Sequence, residues 1–322
     1  MADTKNPPGA EDIIQARTRI GNLVKHTPVV NSERLDRLLG CRVFSKAECL
    51  QETGSFKARG ATNAVFSLAA EKACQGVATH SSGNHAAALA RAAALRGVPA
   101  YIVMPANAPR IKVQAVEYYG AKITFCEPTL SARQKTLQKV ITDTGACFIH
   151  PYDEPLVIAG QATAALELFE QVPKLDLLLA PIGGGGLMSG CALATALARP
   201  SVRLVGTEPR GADDAFRSLQ EGRLLPQENP QTIADGLRTQ LSELTFSILS
   251  RHLERIVTVS EEAMVKALRL AAEHLKLVIE PSAAVPLAAL LECDFGQRGK
   301  NVGVILSGGN VEPDALAGYL KD

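Results

Sequence analysis

Short apolar runs alternate with stretches of helical periodicity along most of the chain. Residues 100–104 (AYIVM) read as a buried strand, 110–119 as a helix stopped by Gly120, and 121–126 as a strand. A helix over 131–143 stops near Gly145, and 147–150 form a short strand. Beyond Pro151, a helix over 160–171 precedes a strongly apolar strand at 175–182, which runs into four consecutive glycines. A helix at 187–198 and a strand at 202–207 follow, then a less regular stretch over 209–230. Helices at 261–275 and 282–291 lead to a last buried strand, 301–306 (NVGVIL), and a short helix after residue 310. Short apolar runs between helices are the signature of βαβ units, so the fold class is α/β with mostly parallel sheet. Ligands of such folds lie at the carboxyl ends of the strands.

Composition narrows the function classes. The chain has 322 residues, enough for two domains. It is 46% hydrophobic and 21% charged, with a net charge of +1. No broad field points to nucleic acid or an anionic membrane, so any anion site is local. Seven scattered cysteines with no C-x-x-C pair argue against a disulfide framework or a zinc cluster. Reduced cysteines fit a cytoplasmic protein. The N-terminus has no signal-like apolar core, and no apolar run reaches the length of a membrane span.

Five segments could carry chemistry. In Thr53-Gly54-Ser55-Phe56-Lys57-Ala58-Arg59-Gly60 a lysine sits among small and apolar residues. With little opposing charge its amine can be neutral and nucleophilic; a surface lysine at a helix start is the plain alternative. Ser81-Ser82-Gly83-Asn84-His85 feeds an alanine-rich helix. Unpaired N–H groups at its N-terminus suit a carboxylate, although Asn84 could simply cap the helix. Gly183-Gly184-Gly185-Gly186 joins a strand to a helix without the Lys-Ser/Thr of a nucleotide P-loop, and a phosphate is its natural guest. A dinucleotide site competes here: Glu208 stands 22 positions beyond Gly186, where a ribose clamp would be, but position 189 is serine rather than the third glycine. Ser307-Gly308-Gly309-Asn310 offers an uncharged hydroxyl after the last strand. Glu208, Asp213 and Asp214 could hold a hard cation or form a solvated acidic turn.

In this order SFKARGA, SSGNHAAALA, GGGGLMSG and LSGGN resemble the fold-type II pyridoxal 5′-phosphate (PLP) enzymes, with the tryptophan synthase β-like architecture. Within them the chain is most similar to the serine racemase and serine/threonine dehydratase family, which includes 3-hydroxyaspartate dehydratases. The resemblance runs from the helix before His26-Thr27-Pro28 to Asn310. It implies that Lys57 carries PLP as a Schiff base beside Phe56 and takes the Cα proton on one face. Ser82 would serve the other face. Asn84 would bond the ring oxygen, Gly183, Gly184, Gly185, Gly186 and Leu187 would cradle the phosphate, and Ser307 would face the pyridine nitrogen. Ser81, Ser82, Asn84 and His85 would receive the substrate carboxylate. Glu208, the Ala212 carbonyl and Asp214 would hold Mg²⁺, or Ca²⁺ or Mn²⁺. The implied reaction is dehydration of L-serine, L-threonine or 3-hydroxyaspartate to a 2-oxo acid and ammonia. Racemisation of serine or aspartate is the alternative within the family, and an NAD-dependent dehydrogenase or a non-catalytic PLP-binding protein outside it. Residues 80–150 are expected to form a small domain and 1–79 with 151–322 a large one, in a homodimer. Tyr152 stands where animal racemases carry asparagine, and Arg110 is a candidate reader of a second substrate carboxylate.

Overall fold

The computed structural model describes residues 6–81 and 83–321. Ten strands form two sheets: β1 (Val29–Val30), β2 (Arg42–Ala47), β3 (Val77–His80), β4 (Ala100–Pro105), β5 (Lys122–Cys126), β6 (Cys147–Phe148), β7 (Leu177–Pro181), β8 (Arg203–Pro209), β9 (Arg255–Val259) and β10 (Asn301–Leu306). One sheet has the order β1-β2-β10-β7-β8-β9, the other β5-β4-β3-β6. Every pairing is parallel except that of β1 with β2. The α/β class and the parallel sheets are as the sequence pattern predicts.

Strand geometry sorts successive side chains to opposite faces. In β7, Leu177 and Leu179 join a core with the helices Glu261–Leu270 and Pro281–Glu292. Leu178 and Ala180 join another with Pro155–Gln171 and Gly186–Ala198. In the smaller sheet Ile102 and Met104 face one core, while Val103 faces the other. Each fully buried leucine contributes roughly 1.5–3 kcal/mol, so a helix layer on both faces is what stabilises these continuous apolar strands.

Several boundaries differ from expectation, each for a local reason. The helix expected at 160–171 begins at Pro155, since proline at the first position needs no N–H partner. The helix expected to 275 ends at Leu270 and continues as a π-turn over Ala271–Leu275. The stretch 209–230 contains a helix, Asp214–Glu221, ended by Gly222 in the left-handed region. Strands β1, β2, β3 and β9 have no expected counterpart.

Candidate active site

The geometry follows from sheet order. β2, β10 and β7 are neighbours, with Ala47 level with Leu306 and Val304 level with Leu179. The segments leaving their carboxyl ends carry Lys57, Ser307 and the glycine run respectively, so three motifs far apart in sequence emerge side by side. The loop after β3, from the second sheet, brings Ser81, Gly83 and Asn84. Ser82 lies outside the described residues.

Lys57 opens the helix Lys57–Ser67 and is partly buried. Its Nζ donates to the Pro151 carbonyl at 2.8 Å and lies 5.1 Å from the Phe56 ring centre. Burial lowers its pKa from 10.5 to about 8, against an opposing pull from Glu280. The segment 53–56 is zipped to 307–310: the Phe56 N–H donates to Ser307 O at 3.0 Å, Gly309 N–H to Gly54 O at 2.9 Å, and Asn310 Nδ2 to Thr53 O at 2.8 Å. Ser307 is thus buried beside the lysine.

Asn84 is the first residue of the helix Asn84–Arg96. Its amide is held on both sides, donating to Glu280 Oε1 and accepting from Asn310 Nδ2, each at 2.8 Å. Glu280 escaped the sequence reading. It is the N-cap residue before Pro281, its side chain makes no capping hydrogen bond, and only the fold brings it to Asn84 and Gly308. Burial, reinforced by Asp235, raises its carboxyl to about 8. His85 is buried and its Nε2 meets the Ile149 carbonyl at 3.1 Å. Burial, then the charge of Lys57, lowers it to about 3. A neutral imidazole that donates through Nε2 has only an acceptor left at Nδ1, so His85 can offer a carboxylate its backbone N–H and not its ring.

The four glycines are constrained by protein as well as by a possible guest. An added Cβ would meet Gly236 O at 3.0 Å from Gly183, the Tyr152 ring at 2.3 Å from Gly184, Leu241 and Thr245 at 2.8 Å from Gly185, and Tyr152 Cβ at 2.8 Å from Gly186. Gly185 also has φ +83°, a conformation that favours glycine. The run caps the helix Gly186–Ala198, whose first N–H groups have no intrahelical acceptor and whose dipole favours an anion. The residues fit PLP: a buried amine of lowered pKa, a helix N-terminus for the phosphate and a hydroxyl side chain stand at adjacent strand ends.

Glu208 and Asp214 are buried together. Burial, then Asp214, raises Glu208 well above 4.5, and burial raises Asp214 to about 6. Glu208 accepts from the N–H groups of Ala215 (3.3 Å) and Phe216 (2.7 Å). Asp214 Oδ2 accepts from Leu241 N–H at 3.0 Å, while its buried Oδ1 has no partner. Ala212 is buried in the same turn. Asp213 instead pairs with Arg217 at 2.8 Å. Among the described residues no group of three or more His, Cys, Asp or Glu side chains converges as a metal cluster, so a cation here would need backbone oxygen or water as well. An orphaned oxygen on two buried carboxylates fits such a cation. Glu208, turned into its own loop, is not shaped as a ribose clamp.

Arg110, expected as a reader of side-chain charge, is exposed at the start of the helix Arg110–Tyr118. Lys112, two residues on, turns inward: its Nζ is 4.0 Å from the place of a Cβ on Gly83 and pairs with Asp235. Helical geometry separates adjacent positions by about 100°, which is why one cation faces solvent and the next but one faces the loop.

The family model for pyridoxal-phosphate dependent enzymes matches residues 20–308. The chain is 48% identical over 309 residues to a beta-hydroxyaspartate dehydratase of Paracoccus denitrificans, covering 96% of this chain and 98% of that protein. It is 46% identical to a serine racemase of Arabidopsis thaliana, covering 95% of each. Among solved structures, maize serine racemase superposes with a TM-score of 0.94 at 42% identity, covering 97% of both chains. The serine racemase of Dictyostelium discoideum gives 0.91 at 44%, covering 95% of this chain and 99% of that one. These matches overturn the dinucleotide-dehydrogenase alternative.

Proposed function

The chain belongs to the pyridoxal-phosphate dependent enzymes, and we propose that it dehydrates a β-hydroxy-amino acid, releasing a 2-oxo acid and ammonia. The observation that carries this reading is the buried amine of Lys57, partly unprotonated near neutral pH, standing level with an uncharged Ser307 and an anion-binding glycine run. When bound, PLP withdraws electrons from the substrate's α-carbon. Lys57 takes the proton from that carbon and, once charged, is placed to return a proton to the departing hydroxyl. Gly183–Gly186 and Leu187 hold the phosphate through backbone N–H groups. Asn84, fixed by Glu280 and Asn310, presents its remaining amide hydrogen to the cofactor's ring oxygen. A hydroxyl at Ser307 cannot place a negative charge opposite the ring nitrogen, which favours rapid loss of a β-leaving group over prolonged charge storage.

Of the candidate substrates, 3-hydroxyaspartate has the most support. A relative of that name is 48% identical, and the ammonium of Lys112 stands over the loop where a second carboxylate would gain a charge-assisted hydrogen bond. Racemisation is the second reading, favoured by serine racemases at 42–46% identity. It requires a second acid–base group, for which Ser82 is the candidate.

The Glu208–Asp214 pair is proposed to hold Mg²⁺, or Ca²⁺ or Mn²⁺, with the Ala212 carbonyl. Its role is structural: Asp214 holds Leu241, whose side chain packs on Gly185 in the phosphate loop.

A panel of serine, threonine and 3-hydroxyaspartate isomers, scoring 2-oxo acid and enantiomer separately, tests the proposal. Dehydration of at least one substrate faster than its racemisation is expected. Enantiomer exchange without 2-oxo acid would overturn it in favour of the second reading.

A further inference from the structure

Behind Lys57 lies a charged cluster that the reaction just described does not use. Arg59, two residues further along the same first helical turn, is wholly buried. All five of its N–H hydrogens are engaged. Nε and Nη2 fork onto Glu48 at 2.8 Å each, and Nη1 and Nη2 fork onto Glu167 at 2.6 and 2.7 Å. Nη1 also reaches Thr163 Oγ1 at 3.2 Å. Lys46 completes the cluster, with Nζ donating to Thr27 O at 2.6 Å, Glu167 Oε2 at 2.7 Å and Gln171 Oε1 at 2.9 Å. Thr27 Oγ1 donates to Glu48 at 2.5 Å. Two cations and two carboxylates balance, with the side chains of Arg59 and Glu48 wholly out of solvent.

The cluster sits where two helices cross at backbone contact. A Cβ on Gly60 would meet Val157 O at 2.7 Å, and one on Gly160 would meet Gly60 Cα at 2.6 Å. Two smooth glycine surfaces at a crossing leave rotation and sliding poorly fixed. Phe56, preceding the helix Lys57–Ser67, has no side-chain oxygen with which to cap it. A doubly forked guanidinium is directional, unlike a packed methyl group. It locks the first turn to Glu48 at the end of β2 and to Glu167 on the helix Pro155–Gln171. That second helix is entered from Pro151, whose carbonyl holds Lys57 Nζ. Arg59 therefore registers both ends of the lysine: the turn that bears its Cα and the segment that receives its amine.

We propose that Arg59 is a positioning residue for Lys57, its paired forks onto Glu48 and Glu167 setting the place from which the lysine amine meets cofactor and substrate. This rests on Lys57 being the point of PLP attachment. Buried ion clusters are often replaceable by neutral groups with little change in stability, so a role in placement can be separated from one in folding.

The test compares wild type with R59M, R59K and the charge-balanced R59M/E48Q, with K57A as a control. Apo-protein thermal midpoints report folding, and titration with PLP reports cofactor affinity. A brief borohydride pulse followed by peptide mapping reports the fraction of bound PLP trapped on Lys57. R59M/E48Q is expected to fold and to bind PLP within about threefold of wild type, since the phosphate loop is untouched. The trapped fraction should fall at least about twofold, and kcat by roughly ten- to a hundredfold with KM within about threefold, as sub-ångström misplacement of a reacting group demands. R59K, which restores charge without the forks, should not recover kcat. A folded double variant with wild-type kcat and trapping overturns the proposal. So does one that fails to fold, since Arg59 would then hold up the fold as a whole. If borohydride labels wild type elsewhere than Lys57, or labels K57A equally, the attachment reading itself fails, an outcome distinct from either.

Discussion

Gly184→Ala is the most direct probe of the phosphate loop. The added Cβ would lie 2.3–2.4 Å from three Tyr152 ring carbons, more than 1 Å inside an ordinary contact of about 3.5 Å. The ring cannot swing away freely: it packs edge-on against His150, 4.6 Å between centroids. Overpacking of this kind costs about 1–3 kcal/mol. Gly184 has no positive φ, so alanine meets no backbone strain and recovers about 0.4–1 kcal/mol by narrowing the unfolded ensemble. The expected net loss is therefore about 0–2.6 kcal/mol. Removing the ring should reverse the sign: in a Tyr152→Ala background the same change should be neutral or slightly stabilising, a coupling of about 1–3 kcal/mol. Urea midpoints of the four apo-proteins close the cycle. PLP titration adds a second readout, since displacing one loop N–H from the phosphate should weaken binding about tenfold. Equal costs in both backgrounds would refute the placement of the ring over Gly184.

Glu280→Gln should flatten the pH dependence of apo-protein stability. A carboxyl raised from 4.5 to about 8 contributes stability that is complete below pH 4.5 and is lost as pH rises to about 8; Lys57, lowered from 10.5 to about 8, acts in the separate window above that. The urea midpoint should fall less steeply across that lower window in the variant than in wild type, the remaining slope coming from Glu208 and Asp214, whose carboxyls are also raised; parallel slopes would show that Glu280 does not titrate there. Chelation should lower the thermal midpoint and Mg²⁺ restore it, a stabilisation of about 3 kcal/mol at a hundredfold excess over Kd. Asp214→Asn should abolish that response, and a wild-type midpoint unmoved by either treatment would leave the acidic turn without a cation.

What the sequence made legible was what local chemistry punctuates. The glycine run, the strand NVGVIL and the cadence of helices are read from residue type and spacing alone. β10 matches its expected bounds, and neighbouring strands differ by a residue or two at their ends, where hydrogen bonding rather than apolarity decides the boundary. The two-residue strand β1 has too few residues to carry a period, while β6 is shorter than its expected 147–150. Lys57 was visible as a lysine among small residues, yet nothing local separates it from a surface lysine. Its significance came from four motifs in series, and its chemistry from burial, which the fold supplies. Arg110 was a wrong choice of face: the sequence offers Arg110 and Lys112 equally, and only the position of the helix Arg110–Tyr118 against the loop after β3 turns the latter inward.

Glu280, set beside Glu208, shows why the remainder stayed hidden. Both are glutamates beside proline, but Glu208 has acidic neighbours that mark it in sequence as a candidate cation ligand, whereas Glu280 stands alone among apolar residues. In the fold both are buried, and burial raises the pKa of each. Their partners differ in kind. Glu280 finds an amide donor in Asn84, 196 positions away, and faces Lys57. Glu208 finds backbone N–H groups seven and eight positions on, and a second carboxylate instead of a cation. A buried acid beside an amine and an amide can be neutralised by a proton and still orient its neighbour. A buried acid beside another acid, with an unpartnered oxygen left over, would be relieved by a bound cation. The same residue type thus meets opposite surroundings in the two places, and those of Glu280 rest on a contact 196 positions away that no window of sequence contains.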